Sequence, residues 1–550
     1  MSPLAVASLS ALAWRARVWL LTMACQPTAV SMAWRAIAIV MSIVGAGCAT
    51  LPGPVERQAS YAQSDIGDTT LSRIAAASAP ADPQGLSGFR LFGDGEDAFQ
   101  ARLALVRRAE KTLDIQYYLI ASDATGLEFL AELRAAAGRG VRVRILVDDL
   151  YATGQDDLFA SLAAVEHIEV RMFNPLPVRG GGFAHRIFFS LHEFRRINHR
   201  MHNKLFIADG SFAIVGGRNI ADEYFDRGGS ANFIDMDAVA TGPVVHELAG
   251  LFDRFWNCDL AYPIQSLAGS RAPAALDNLA TAGPAIAPIA ARPQASTHDD
   301  LAAQLAAGRV DMEFGVANVL ADAPQKAQEA AASHGVAEAH LALIRSARTD
   351  VLIASPYFIP DGSAMRALDA ARAGGARVSM LTNSLATTDE PLVHLFYARH
   401  RPSLLNAGVS LHELMPQAAG RREDEPMTGE HRLGGSLGRL HAKLTVVDDE
   451  RLFIGSMNMD RRSDTCNTEA GLVIRSVTLA RAVSAFIRAT EEKGSYRLGL
   501  ARDHDRDRGH IVWQSETADP GPAQPLEPAP GAKIRRGLRF VSMFVNEDLL

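Results

Sequence analysis

The sequence predicts an α/β protein built from a duplicated domain. Three observations carry this. Apolar, β-branched runs alternate with Ala-rich helical stretches, the pattern of strands joined by helices. The pattern occurs twice, offset by 238 residues at one landmark and 239 at another. A short string, H-x-K-x-x-x-x-D, occurs once in each copy. A period this long marks a duplicated domain, not a solenoid. A chain of 550 residues is expected to hold two or more domains, and 48% hydrophobic content supports sizeable cores.

Taken in order, residues 1–48 read as a targeting segment. Met32-Ala33-Trp34-Arg35 supplies a short charged region, Ala36–Val44 an apolar run, and Gly45-Ala46-Gly47-Cys48 small residues at a cut site. These are the parts of a secretory signal. The small residues before Cys48 resemble a bacterial lipoprotein cleavage box, although Gly45 stands where a larger aliphatic is usual. Cys48 is therefore the expected lipidation site, and the expected location is the bacterial cell envelope, membrane-associated and facing the periplasm. A membrane-spanning helix is the alternative; Ala33–Thr50 is marginal in length for one. Residues 49–84 read as linker.

The first repeat is placed at 85–260 and the second at 336–500. Leu103-Ala104-Leu105-Val106-Arg107 and Leu341-Ala342-Leu343-Ile344-Arg345 each end a helix. Each leads into an apolar strand, Leu113–Ile120 or Val351–Ile359. An Ala-rich helix follows, stopping at Gly138-Arg139-Gly140 or Gly374-Gly375, then a second strand, Val141–Val147 or Ala376–Leu381. Between the repeats, 261–335 reads as connector and pre-repeat elements, with Ala and Pro concentrated in Ser266–Pro293. Residues 501–550 hold a Pro-rich linker over 516–532. They end in a basic-apolar tail, Lys533–Phe540, suited to a membrane surface or to a final strand.

Net charge of −7 and a pI near 6.2 argue against a nucleic-acid partner, which usually leaves a basic footprint. Four cysteines do not form a disulfide scaffold. Cys25 and Cys48 lie in the targeting segment, and Cys258 and Cys466 are available to pair in an oxidising compartment. No Cys/His spacing reads as a zinc site, and neither a metal nor a cofactor is expected.

The repeated motif carries the chemistry. His202, Lys204 and Asp209 form the first copy; His441, Lys443 and Asp448 form the second. Gly216-Gly217-Arg218-Asn219 follows the first and Gly455-Ser456-Met457-Asn458 the second, with 17 residues from His to Asn in both. The chain has six lysines among its 55 basic residues, and two of the six sit here. Lysine is a compact point charge that arginine does not replace in a tight site. Two β-hairpins with satisfied histidines are the plainer reading, and the matching glycines and asparagines weigh against it. In a strand, residues i and i+2 share a face, so each His and Lys point the same way. Asp209-Gly210 and Asp448-Asp449 begin turns, so the aspartates are expected to support the site structurally. Gly217 and Ser456, with Asn219 and Asn458, are expected at the substrate.

This set suits transfer at a phosphodiester. One histidine can attack phosphorus, and a second can protonate the leaving alkoxide. Lysines and asparagine amides can offset phosphoryl charge. Each histidine needs a carboxylate to fix its tautomer, and the candidates are Asp237 and Glu469.

The duplicated H-x-K-x-x-x-x-D followed by G-[GS]-x-N resembles the phospholipase D superfamily over most of residues 95–490. Three strings are similar to bacterial cardiolipin synthases of the C type: Leu113–Tyr118, Arg196–Lys204 and Gly216–Phe225. The tail Gly537–Phe540 is similar as well. The resemblance implies two mixed sheets flanked by helices, with both motifs meeting at a pseudo-two-fold interface. It implies a phosphohistidine intermediate on His202, with His441 as acid/base. It also implies that two phospholipids are joined to give cardiolipin and a free polar alcohol. Phosphatidylglycerol, with phosphatidylethanolamine as a second option, and a membrane surface are the implied partners. Two features depart from the family pattern: the lipoprotein-like start, and the acidic stretch Arg422–Glu430.

Three other readings compete. A phospholipase D hydrolase uses water as acceptor and shares the same motifs. A nuclease of the superfamily is disfavoured by charge and by the N-terminus. A catalytically dead lipid-binding scaffold is disfavoured by intact His, Lys and Asn in both halves. Arg186–Phe189 and Phe194–Arg196 mix apolar and basic residues, as either a membrane-contacting loop or a buried strand with a basic rim.

Overall fold

The computed structural model describes residues 51–53, 55–63, 67–229, 231–268, 301–328, 335–416, 438–503, 506–515 and 527. The targeting segment with Cys25 and Cys48, most of the Ala/Pro-rich connector, Arg422–Glu430 and the C-terminal tail lie outside these residues. Among the described residues no helix is long and apolar enough to cross a membrane.

The first half contributes β1 (Ser87–Phe92), β2 (Thr112–Tyr117), β3 (Arg142–Asp148), β4 (Ile168–Phe173), β5 (Leu205–Ala208), β6 (Phe212–Gly216), β7 (Asn232–Ile234), β8 (Asp237–Thr241) and β9 (Ala261–Pro263). The second contributes β10 (Glu313–Ala321), β11 (Asp350–Ala354), β12 (Arg377–Asn383), β13 (Ser410–Leu414), β14 (Gly438–Leu440), β15 (Leu444–Val447), β16 (Arg451–Gly455), β17 (Ala470–Arg475), β18 (Ser495–Asp503) and β19 (Arg506–Ser515).

Each half forms one mixed sheet. Strands β2, β3 and β4 run parallel, as do β11, β12 and β13. Antiparallel strands extend each sheet on one side: β5, β6, β8 and β1 in the first, β15, β16, β17 and β10 in the second. Pairing of Ser87–Phe89 in β1 with Glu313–Gly315 in β10 joins the two into one 17-stranded sheet. Strand β10 lies in the stretch read as connector and pre-repeat elements, and it supplies the edge of the second sheet.

Local chemistry explains the helices. The Ala-rich pair forms at Ala124–Gly138 and Gly362–Ala373, with Asp123 and Asp361 accepting the N–H of Gly126 and Ala364 as N-caps. Just past their ends Gly140 (φ 89°) and Gly375 (φ 98°) take the left-handed conformation that favours glycine. Strand β2 ends at Tyr117, not Ile120, because the chain turns so that Ala121 N–H reaches Ile220 O at 2.8 Å.

Two outer cores lie under the helices of each repeat, around Phe99, Phe129 and Phe159 in one and Ile344, Leu368 and Tyr397 in the other. A third core runs through both repeats, from Phe252 and Trp256 to Leu452 and Ile487. Each buried side chain of this size is worth roughly 1.5–3 kcal/mol, so the shared core fixes the halves against each other.

The stretch read as linker is tied to the first repeat. Trp256 Nε1 donates to Ser60 Oγ at 2.9 Å, and Arg144 Nη1 to Ser60 O at 2.8 Å. A capped helix, Thr70–Ser78, follows. Cys258 and Cys466 are free thiols and do not pair.

Candidate active site

Two short parallel pairings cross between the repeats. Strand β7 lies along β14, and His441 N–H donates to Ile234 O at 2.8 Å. Met201 pairs with Thr468, and His202 N–H donates to Thr468 O at 3.0 Å. The residue after each crossing segment is a carboxylate, and it binds the other repeat's histidine. His202 Nδ1 lies 2.9 Å from Glu469 Oε2; His441 Nδ1 lies 2.6 Å from Asp235 Oδ2. Neither repeat therefore completes its own histidine.

The carboxylate on His441 is Asp235, and the expectation for Asp237 is corrected. Asp237 lies within β8 and binds Arg102 Nη2 at 2.9 Å, in a buried ion pair that also touches Arg218 at 3.4 Å. Gly217 and Ser456, expected at the substrate, serve the carboxylates instead. A Cβ on Gly217 would collide with the Asp235 carboxylate. Ser456 Oγ donates to Glu469 Oε2 at 2.5 Å and accepts the Ala470 N–H at 3.0 Å. The segments leading into the histidines are held alike: Met201 N–H donates to Asp148 Oδ2 at 2.9 Å, and Leu440 N–H to Asn383 Oδ1 at 2.9 Å.

Burial governs the electrostatics. It pushes both His202 and His441 down to about 4, against the pull of Glu469 and Asp235. Burial opposes the Asp235 charge too, but His441, Lys443 and Arg218 outweigh it and hold this carboxyl at about 2. At neutral pH the imidazoles are thus neutral. Each gives Nδ1–H to a carboxylate and keeps an Nε2 lone pair free. Lys204 and Lys443 Nζ donate to the carbonyls of His202 and His441, at 2.7 and 2.5 Å. Each ammonium keeps further donors for an anion. Burial lowers Lys204 well below its usual range and Lys443 to about 8. Lys443 also acts electrostatically on His202 and Lys204, so the two motifs share one site.

Asp209 and Asp448 stand at turns, with φ of 46° and 58°. Asp209 accepts the N–H of Glu110, Lys111 and Thr112 at 3.0, 2.8 and 2.9 Å. Asp448 does the same for Arg348, Thr349 and Asp350. They clamp the turns into β2 and β11. Asn219 and Asn458 are buried, and each leaves Oδ1 without a partner among the described residues. Tyr118 stands edge-on to His202 and Tyr224 edge-on to His441, both with centroids 5.0 Å apart. Among the described residues no cluster of three His, Cys, Asp or Glu is placed to hold a metal ion.

Asp235, Tyr118 and Tyr224 escape the reading by spacing. The signal for Asp235 lies in aligning the repeats strand by strand. Gly216 pairs with Asp237 and Gly455 with Gly471, and the working carboxylate sits two residues before that partner in both halves.

Comparison with known proteins agrees with this architecture. The family model described as cardiolipin synthase, PLD-like domain, matches residues 103–256 and 341–489. Cardiolipin synthase C of Escherichia coli (strain K12) is 36% identical over 465 residues, covering 82% of this chain and 94% of that protein. Cardiolipin synthase 2 of Staphylococcus epidermidis is 27% identical over 401 residues, covering 72% of this chain and 67% of its own. The crystal structure of phosphatidylserine synthase from Haemophilus influenzae Rd KW20 aligns with a TM-score of 0.51 at 13% identity, over 76% of this chain and 88% of that one. That last likeness concerns the fold. With two matched domains and a relative this similar along most of its length, the chain belongs to the cardiolipin synthase family of the phospholipase D superfamily and is an enzyme of that class.

Proposed function

We propose that the enzyme makes cardiolipin by transferring a phosphatidyl group between two phospholipids through a phosphohistidine. The observation that carries this is the crosswise pairing of His202 with Glu469 and His441 with Asp235, with both motif lysines in the same site. In the first step His202 Nε2 attacks the phosphorus of a donor such as phosphatidylglycerol. A P–N bond forms and the P–O bond to glycerol breaks. His441 gives its Nε2 proton to the departing alkoxide. The phosphodiester's negative charge, added to that of Asp235, favours the imidazolium this step needs. In the second step neutral His441 takes the proton from a hydroxyl of phosphatidylglycerol, its oxygen attacks phosphorus, and the P–N bond breaks. Lys204 and Lys443 offset the phosphoryl charge throughout.

Lipid substrates require a lipid surface. The helical insert over Phe183–Ser190, Leu191–Glu193 and Phe194–Asn198 exposes Leu191 and Phe194, at 38% and 40%, beside exposed Arg195. That apolar-basic face supports contact with an anionic bilayer, and a place in the cell envelope is part of the same proposal. The decisive experiment incubates the purified protein with labelled phosphatidylglycerol, with and without phosphatidylethanolamine, and separates the lipids. Cardiolipin is the expected product; phosphatidic acid alone would sink the transferase reading. His202→Ala and His441→Ala each abolish turnover on this scheme, and near-wild-type activity in His202→Ala would refute the nucleophile assignment.

A further inference from the structure

The catalytic core is pseudo-symmetric, but its flanks are not. Beside His202 stands an aromatic wall: Tyr118 edge-on to the imidazole, Tyr151 with its centroid 5.2 Å from that of Tyr118, and Phe183 stacked on Tyr151 at 6.3 Å. Beside His441 the matching loop, after β12, carries Asp389. Asn383 locks this loop to the histidine's approach, since its side chain accepts the Leu440 N–H and donates to Leu440 O, both at 2.9 Å. Tyr357 O–H donates to Asp389 Oδ2 at 2.6 Å, while Asp389 Oδ1 is buried without a partner among the described residues. Asp389 acts electrostatically on His441, Lys443, Tyr224 and Glu223 alike, so it lies on the His441 side of the site.

The Tyr224 hydroxyl, beside His441, adds a donor on the same side. The Tyr224 oxygen accepts the Asn219 amide N–H at 2.9 Å, so its own proton is free to donate. Asn219 is 3% exposed, and its Oδ1, like that of Asn458 in the other half, has no partner among the described residues. Buried acceptors without donors are costly unless something supplies the donor. The asparagine acceptors are common to both halves, whereas Asp389 Oδ1 lies on the side of the site where an alkoxide would meet its acid.

We propose that this flank is the subsite for the alcohol portion of the phosphodiester, and that Asp389, held by Tyr357, determines specificity by accepting a hydrogen bond from a hydroxyl or ammonium group next to the reacting oxygen. The inference rests on the phosphatidyl-transfer reading and names the substrate chemistry that reading leaves open. Glycerol supplies such donors as hydroxyls and ethanolamine as an ammonium. On the aromatic flank beside His202 the described carboxylates Asp148, Asp149 and Asp156 are each held by an arginine, Arg200, Arg179 and Arg186.

The test compares three donors that share a phosphatidyl group: phosphatidylglycerol, phosphatidylethanolamine, and phosphatidyl-p-nitrophenol, whose leaving group has no further donor. Full-length protein in mixed micelles is assayed as wild type, Asp389→Asn, Asp389→Ala and Tyr357→Phe. In the Asp389 variants kcat/KM falls at least about tenfold more on one or both natural headgroups than on the aryl ester, because a site built to bind a donor discriminates strongly against its absence. Tyr357→Phe shifts the same ratio in the same direction by less. A larger loss on phosphatidylglycerol identifies the hydroxyl, and on phosphatidylethanolamine the ammonium; either supports the subsite. Equal losses on all three donors, or no loss on any, overturn it. Failure of the transferase reading is visible separately, as a wild type that cleaves the donors without forming cardiolipin.

Discussion

At the residue scale, the two carboxylates of the first repeat test the site assignment, because Asp235 and Asp237 are two positions apart and do different work. Asp235 holds His441 Nδ1, whereas Asp237 neutralises buried Arg102. Asp235→Asn removes the charge that fixes the tautomer and stabilises the imidazolium, so turnover of the folded protein falls by about 100-fold or more, whatever the accompanying loss of stability. Asp237→Asn strands a buried guanidinium and costs about 3 kcal/mol of stability, while the folded fraction keeps its kcat. Kinetics on the folded fraction decide, with thermal melts to define that fraction; a large kcat loss in Asp237→Asn and none in Asp235→Asn would return the supporting role to Asp237. The lysines give a second prediction. Lys443 titrates at about 8 because burial disfavours its charge. It is charged below that pH and neutral above it. Phosphodiester capture therefore weakens as pH rises through about 8, well below the ordinary lysine range. A kcat/KM profile from pH 6 to 10 measures this. The kcat limb lies further to the alkaline side, since bound phosphate pulls the lysine back up. A kcat/KM limb near 10 would contradict the buried-lysine picture.

At the scale of elements, the motif aspartates are turn clamps, and their two environments differ. Asp209 is 1% exposed and gathers three backbone N–H groups. Asp448 gathers the matching three in a more exposed turn. An orphaned buried N–H costs about 1–3 kcal/mol, and water rescues an exposed one. Asp209→Ala therefore lowers stability by about 2 kcal/mol or more, and Asp448→Ala by clearly less. Urea unfolding of both variants measures the gap, and equal losses would refute it. This clamp was legible beforehand, because Asp-Gly at the end of a strand signals a turn and parity turns the aspartate away from the histidine face. The duplicated strands and helices were legible for a similar reason: local periodicity encodes them. The crossing pairs β7–β14 and Met201–Thr468 were not. They are three residues and one residue long, join positions more than 200 apart, and carry no periodic pattern of their own. Asp235 depends on such a pairing, and nothing in the local sequence distinguishes it from Asp237 two positions on. Gly217 and Ser456 misled in the same way: their roles are set by the carboxylate beside them, which only the fold brings there.

At the scale of the whole molecule, the buried histidines tie stability to pH. His202, His340, His412 and His441 all sit at about 4, with burial as the leading cause. In an unfolded chain each titrates near 6.5. Between those values the unfolded state binds protons that the folded state refuses, so stability is full above about pH 6.5 and falls as pH drops toward 4. Asp460 works in the opposite sense. Burial raises it to about 7, so the folded state holds a proton there that the unfolded state releases. Four histidines against this one carboxyl leave the histidines dominant among these five groups, so their joint contribution falls with pH below about 6.5. Asp235, held at about 2, adds its own loss only lower, as pH falls below the ordinary aspartate value. Urea midpoints measured from pH 7 to 4.5 should therefore fall steeply and continuously. Two of the four histidines belong to the catalytic pair, and an anion bound between the repeats raises their proton affinity. Added inorganic phosphate should therefore shallow the slope in wild type and leave it unchanged in a His202→Ala, His441→Ala double variant. A midpoint that stays flat down to pH 5 would mean that these histidines take up protons in the folded protein, and with it the neutral-imidazole description of the free site would fail.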